Sequence, residues 1–162
     1  MEINIRRAKE EDMAAVLDLI NELAVFEKEP DAVIIDEKDL IRDGFGENPA
    51  FHCFVAEADG KIEGMALVYF RYSTWKGKTV HLEDLIVREK FRGKGLGSAL
   101  YTEVIKFAAD QKVKRTEWVV LNWNKGAADF YRRSGADVME DWDTVQMDEA
   151  SMHKYLENKG VL

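Results

Sequence analysis

The spacing of apolar positions changes period along the chain, and each change marks an element. Ile3-Asn4-Ile5-Arg6 alternates with period two and predicts a short strand. Met13, Val16, Leu17, Ile20, Leu23 and Ala24 recur every three or four residues, which predicts a helix near 11–27 with one apolar stripe. Asp36 with Asp39 three residues later predicts a capped, acidic first turn of a short helix that stops at Gly44. Two apolar runs, His52 to Glu57 and Met65 to Phe70, are joined through Asp59-Gly60, whose positive φ angles suit a tight hairpin turn. Thr79 to Val87 predicts a third strand, followed by a glycine-rich loop and a helix near 97–111 with Leu100, Val104, Phe107 and Ala108 on one face. Thr116 to Leu121 reads as a strand and Lys125 to Ser134 as a helix, with Gly135 as its C′ residue. Residues 136–147 have room for one or two short strands before an end helix starting near Glu149.

This order, β-α-α-β-β-β-α-β-α-β, predicts one α/β (α+β) domain over residues 1–162, with a central mixed, mostly antiparallel sheet flanked by helices. A chain of 162 residues can bury one sizeable core, and 46% hydrophobic residues place it clear of the disordered range. There is no low-complexity linker or repeat, and no apolar stretch approaches the ~20 residues of a membrane span, so no membrane association is expected. The formal charge of −8 argues against a nucleic-acid-binding protein, which needs surplus Lys and Arg, and suits a cationic small molecule. Cys53 is the sole cysteine and cannot form an intramolecular disulfide, which fits a reducing, cytoplasmic compartment. His52, His81 and His153 are not arranged as metal ligands, so no metal is expected.

The positive charges are clustered rather than dispersed. Arg88, Lys90, Arg92 and Lys94 surround Phe91-Arg92-Gly93-Lys94-Gly95-Leu96-Gly97-Ser98, where a predicted strand gives way to a predicted helix. Glycines let the backbone approach an anion closely, and the N–H groups of a helix N-terminus carry partial positive charge, so the loop reads as a phosphate or pyrophosphate cradle. A Walker A loop would need Ser or Thr after Gly-Lys, where Gly95 stands, and a dinucleotide fingerprint would need glycine in place of Ser98. A merely flexible surface turn remains the plain alternative.

Arg92-Gly93-Lys94-Gly95-Leu96-Gly97 resembles the Arg/Gln-x-x-Gly-x-Gly/Ala pyrophosphate loop of the GNAT superfamily of acetyl-CoA-dependent N-acetyltransferases. Glu37-Lys38-Asp39-Leu40, Asp43-Gly44-Phe45-Gly46-Glu47, His52-Cys53, Leu82-Glu83-Asp84 and Trp123-Asn124 are similar to segments of the spermidine/spermine (diamine) N-acetyltransferase family. The resemblance runs from about residue 3 to about residue 148. It implies a GNAT-like acyl-CoA N-acyltransferase fold, acetyl-CoA as cosubstrate and a small cationic amine as acceptor. It also implies that Arg92 to Ser98 hold the pyrophosphate, that Leu85, Ile86 and Val87 pair with the pantetheine arm, and that Asn124, Lys125, Gly126 and Ala127 add further cofactor contacts. Tyr131 matches the acid that protonates the departing thiolate, and Glu83 the amine-binding, water-mediated base. Phe26, Glu27, Glu117, Trp118 and Glu140 match positions of the amine pocket. Where polyamine-acetylating relatives carry Asp-Pro before the tryptophan, this chain reads Tyr72-Ser73-Thr74-Trp75-Lys76-Gly77-Lys78, which is similar to the thialysine N-ε-acetyltransferase branch. The family pairs subunits, and Glu37 to Glu47 resembles a segment that helps close the site across that interface, so a homodimer is expected.

From the residues alone, Tyr131 and Phe130 also suit core aromatics, and Glu83 suits a solvent-facing strand carboxylate. Adjacent residues of a regular strand point apart, so Glu83 and Asp84 are expected on opposite faces. A non-catalytic acyl-CoA-binding regulatory module and a protein-lysine acetyltransferase are the alternatives to the small-amine enzyme.

Overall fold

A computed structural model describes residues 2–161, which form two compact units, one ending at Leu121 and one beginning at Asn122. In the first unit the elements are β1 (Ile3–Arg7), α1 (Met13–Phe26), α2 (Glu37–Phe45), β2 (His52–Ala58), β3 (Lys61–Ser73), β4 (Gly77–Val87), α3 (Leu96–Asp110) and β5 (Thr116–Glu117). One sheet in the order β1-β2-β3-β4-β5 runs through it, antiparallel except for the parallel β4–β5 pair. Alternation along the strands sorts the core onto two faces. Phe54, Ala56, Val68, Val80 and Leu82 meet Leu96, Leu100, Val104 and Phe107 of α3. Cys53, Val55, Met65, Leu67 and Ile86 meet Met13, Val16 and Leu19 of α1 and Leu40 of α2. No helix among the described residues is long and apolar enough to cross a membrane.

Local chemistry explains the boundaries. Asp36 and Asp39 form a reciprocal capping box, each carboxylate accepting the other's backbone N–H at 3.0 Å. The helix runs one residue past Gly44, to Phe45. Asp59 (φ 49°) and Gly60 (φ 78°) turn the β2–β3 hairpin as the sequence predicts.

Two irregularities in the sheet matter for the site. On β4, Leu82 faces Val68 and Asp84 faces Leu67, so Glu83 is an extra residue in a β-bulge. The bulge switches the alternation: Val80 and Leu82 belong to the α3-side core, whereas two residues beyond Asp84, Ile86 belongs to the α1-side core. Glu83 and Asp84 therefore share the α1 face, correcting the expectation that they point apart, which holds only for a regular strand. The second irregularity is the brevity of β5, which pairs only Thr116 with Val80 and Glu117 with His81. The predicted strand over 116–121 stops there because the chain leaves β4, and among the described residues β4 has from Leu82 to Val87 a strand partner only on its β3 side.

The second unit holds α4 (Lys125–Arg133) and α5 (Glu149–Asn158). Asn124 caps α4, its side-chain oxygen accepting the Ala127 N–H at 3.3 Å, and Gly135 closes it at φ 95°. Asp148 caps α5 through the Ser151 N–H at 2.8 Å. The expected short strands over 136–147 do not form. This stretch carries Asp137, Glu140, Asp141 and Asp143, is mostly exposed, and has no neighbouring strand in its unit to satisfy a ladder of hydrogen bonds.

Candidate active site

The bulge gathers carboxylates that regular spacing would have kept apart. Glu83, Asp84 and Glu27, at the end of α1, act on one another through their charges: burial first, then Glu83 and Glu27, pushes the Asp84 carboxyl up to about 7. Burial and the charge of Glu83 likewise push Glu27 upward. Tyr69 lies directly across from His81, with its ring centre 4.9 Å from that of His81, and burial and the charge of Glu83 push its phenol upward. The His81 Nε2 atom is 3.5 Å from Glu83 Oε2. Burial lowers the His81 pKa, so the neutral imidazole is favoured, and its Nδ1 has no hydrogen-bond partner among the described residues. A cationic amine entering here meets three acidic groups of which one, Asp84, titrates near neutrality. That arrangement can both attract an ammonium group and accept its proton.

Beside this cluster β4 runs into the basic loop. After Val87 a turn of 3-10 helix (Glu89–Phe91) leads to Gly93 (φ 73°) and Gly95 (φ 94°), and α3 starts at Leu96. The N-cap of α3 is Gly95, which has no side chain to cap it, so the first-turn N–H groups of Leu96, Gly97 and Ser98 are available to an anion. The four loop cations divide into two jobs. Arg88 pairs with Glu22 at 2.9 Å and with the buried Glu63 at 3.3 Å, and Lys90 reaches Glu63 at 3.4 Å. These two anchor the loop to α1 and β3 and so correct the reading of all four as cradle charges. Arg92 and Lys94 form no ion pair among the described residues. The Arg92 Nε–H donates to Val87 O at 3.0 Å, and its guanidinium lies 5.2 Å from the Phe26 ring centre. Leu85, Ile86 and Val87 lie on the stretch of β4 whose outer edge is open, as an extended pantetheine arm would need. A glycine-lined turn, an uncapped helix end and this free edge fit an acyl-CoA in one unit of the chain.

The amine-pocket expectations fare unevenly. Phe26 and Glu27 sit at the end of α1 on the carboxylate face. Trp118 packs against the α3-side core, its ring edge-on to Tyr101 at 5.7 Å. Glu117 is not a free ammonium partner: Arg71 lies 2.7 Å away and Arg115 3.0 Å away, so two arginines already neutralise it. Asn124, Lys125, Gly126, Ala127, Tyr131 and Glu140 belong to the second unit. Within it Tyr131 is buried on α4, 5.5 Å from the Phe130 ring, and the exposed Glu140 lies 3.7 Å from Arg132. His52 stacks against Phe70 and Phe107, and burial pushes the Cys53 thiol up to about 12, which suits packing rather than nucleophilic chemistry. Sequence reasoning missed Asp84, Tyr69, His81 and Arg71. The period-two spacing of Tyr69 and Arg71 on β3 was a readable signal; the bulge left none.

An open-edged strand, a glycine loop and a helix end charged for an anion thus lie together in the first unit. Residues 13–136 match the model of the Acetyltransferase (GNAT) family, and the chain belongs to that family. Among its relatives is the thialysine N-epsilon-acetyltransferase of Bos taurus, 41% identical over 163 residues, covering 94% of this chain and 96% of the relative. A spermidine/spermine N(1)-acetyltransferase-like protein 1 of Homo sapiens is 36% identical over 139 residues, covering 82% of this chain and 20% of that longer protein. Among solved structures, an integron cassette protein from the mobile metagenome of V. cholerae superposes with a TM-score of 0.78 at 22% identity, covering 97% of this chain and 99% of that one. The fold is therefore that of the GNAT acetyltransferases, and the protein is an acetyltransferase.

Proposed function

We propose that the protein transfers an acetyl group from acetyl-CoA directly to the primary amine of a small cationic acceptor, a thialysine- or lysine-like amino acid, a diamine or a polyamine. The observation that carries this reading is the coincidence, within the first unit, of the bulge carboxylates with the open edge of β4 and the uncapped start of α3. The amine is a cation near neutral pH and must lose a proton before it attacks. Glu83, directly or through water, takes that proton, with Glu27 and Asp84 holding the acceptor's charge beside it. Backbone N–H groups along Leu85 to Val87 face the carbonyl that gains negative charge. Arg92, Lys94 and the first turn of α3 hold the pyrophosphate, and Asn124 to Ala127 supply further contacts. Tyr131 protonates the departing thiolate. The relatives named for thialysine acetylation support the amino-acid end of the acceptor range.

In this reading the protein works in the cytoplasm as a homodimer, and light scattering at working concentration checks the dimer. The test of function is release of CoA thiol over a panel of thialysine, lysine, diamines, spermidine and spermine. Turnover above acetyl-CoA hydrolysis with at least one amine is the expected result. Acetyl-CoA binding with no amine-dependent release would favour the non-catalytic module instead.

A further inference from the structure

We propose that Arg71 selects the acceptor by holding its carboxylate, so that the preferred substrate is an amino acid with a side-chain primary amine rather than a diamine or a polyamine. This rests on the acetyl-transfer reading above and narrows its acceptor class.

The inference comes from the order of charges along one face of the sheet. Tyr69 and Arg71 are two residues apart on β3 and share the α1 face with Leu67. On β4 the same face carries His81, then the bulge with Glu83 and Asp84, with Glu27 beside them. Arg71 lies opposite Thr79, yet its guanidinium reaches across β4 to Glu117 on β5, 2.7 Å away. Glu117 is in register with His81, and the charge of Arg71 acts on both Tyr69 and His81. Acidic groups therefore stand on one side of the His81–Tyr69 pair and a guanidinium on the other. Because the guanidinium is held at Glu117, in register with His81, it lies about two residues of strand, roughly 6.6 Å, from the Glu83 position.

A diamine would place an ammonium group at both ends of this row, and one of them would face Arg71. An amino acid places its reacting amine at the carboxylates and its own carboxylate at the guanidinium. Arg71 can serve it while keeping Glu117, because a guanidinium has five N–H donors and its side chain is 59% exposed. Arg115, 3.0 Å from the other Glu117 oxygen, holds that carboxylate in place when Arg71 turns to the substrate.

The experiment compares kcat/KM for thialysine with that for the same molecule lacking its carboxyl group, in the full-length protein and in Arg71→Gln, Arg71→Lys and Arg71→Glu. Wild type is expected to prefer thialysine. Arg71→Gln should reduce that preference about ten- to a hundred-fold, mainly through KM, as loss of a charge-assisted hydrogen bond predicts. Arg71→Lys should keep part of the preference, and Arg71→Glu should invert it. Acetyl-CoA affinity and melting temperature in each variant separate this effect from misfolding. An unchanged preference in folded Arg71→Gln overturns the assignment, as does a wild type that favours the decarboxylated amine, although that second result leaves acetyl transfer standing. Acetylation of neither amine, nor of any other on the panel, overturns the acetyl-transfer reading itself and this inference with it.

Discussion

Replacing Asp84 by Asn should remove a stability term that varies with pH. In the folded chain the Asp84 carboxyl is raised from an ordinary 3.8 to about 7, first by burial and then by the charges of Glu83 and Glu27. A folded-state pKa above the unfolded value means that the native protein binds the extra proton, so the group opposes folding increasingly as pH rises from about 4 to about 7. Over the whole window the rise corresponds to at most about 4 kcal/mol, and between pH of about 5 and about 8 to about 2.5 kcal/mol. His52 and His81 act in the opposite direction: burial lowers both pKa values, so the penalty for charging them is felt as pH falls below about 6.5. Comparing the variant with wild type at both pH values cancels the histidines and leaves Asp84. Urea unfolding should show Asp84→Asn gaining about 2.5 kcal/mol over wild type on going from the lower pH to the higher. An equal pH response in the two proteins would refute the raised Asp84 carboxyl that burial, Glu83 and Glu27 together imply.

Three further outcomes follow from the loop, its anchors and the second unit. Gly95→Ala forces a side chain into φ 94° at about 1–2 kcal/mol and should weaken acetyl-CoA binding several-fold, measured by calorimetry. Gly97→Ala, whose new methyl would sit 3.7 Å from Val87 with no positive φ, should carry no comparable backbone cost, so its melting temperature should stay near that of wild type. Arg88→Met strips the closer cation from the buried Glu63 and should cost about 3 kcal/mol, seen as a melting temperature lower by roughly 6–12 °C. Tyr131→Phe should cut turnover by about a hundred-fold while acetyl-CoA affinity stays within about two-fold, and an unchanged rate would remove the tyrosine from the chemistry.

The parts of the fold legible in the sequence are those fixed by local chemistry. Asp36 with Asp39 announced α2, Asp59-Gly60 the hairpin, and the stripe from Met13 to Ala24 the helix that covers one face. The glycine loop was legible because strand, cations and helix coincide there, but its charges were overcounted. Only tertiary structure shows that Arg88 and Lys90 are committed to Glu22 and Glu63. The bulge at Glu83 was not legible, since an inserted residue changes register without changing the local pattern of Thr79 to Val87. Glu117 shows the same limit: its residue type suits an ammonium partner, yet Arg71, forty-six positions earlier, and Arg115 already hold it. Residues 136–147 have room for short strands, but a strand needs a neighbour to bond with, which no local pattern supplies.

Direct acetyl transfer from acetyl-CoA to an amine has a simple product signature. Incubation of the protein with isotopically labelled acetyl-CoA and thialysine, followed by mass spectrometry of both the small molecules and the intact chain, tests it most directly. The expected products are labelled N-acetyl-thialysine in one-to-one proportion with released CoA, and an unlabelled protein, in keeping with a Cys53 that is buried and protonated. Release of CoA with no acetylated amine, or label retained on the chain as the reaction proceeds, would contradict it.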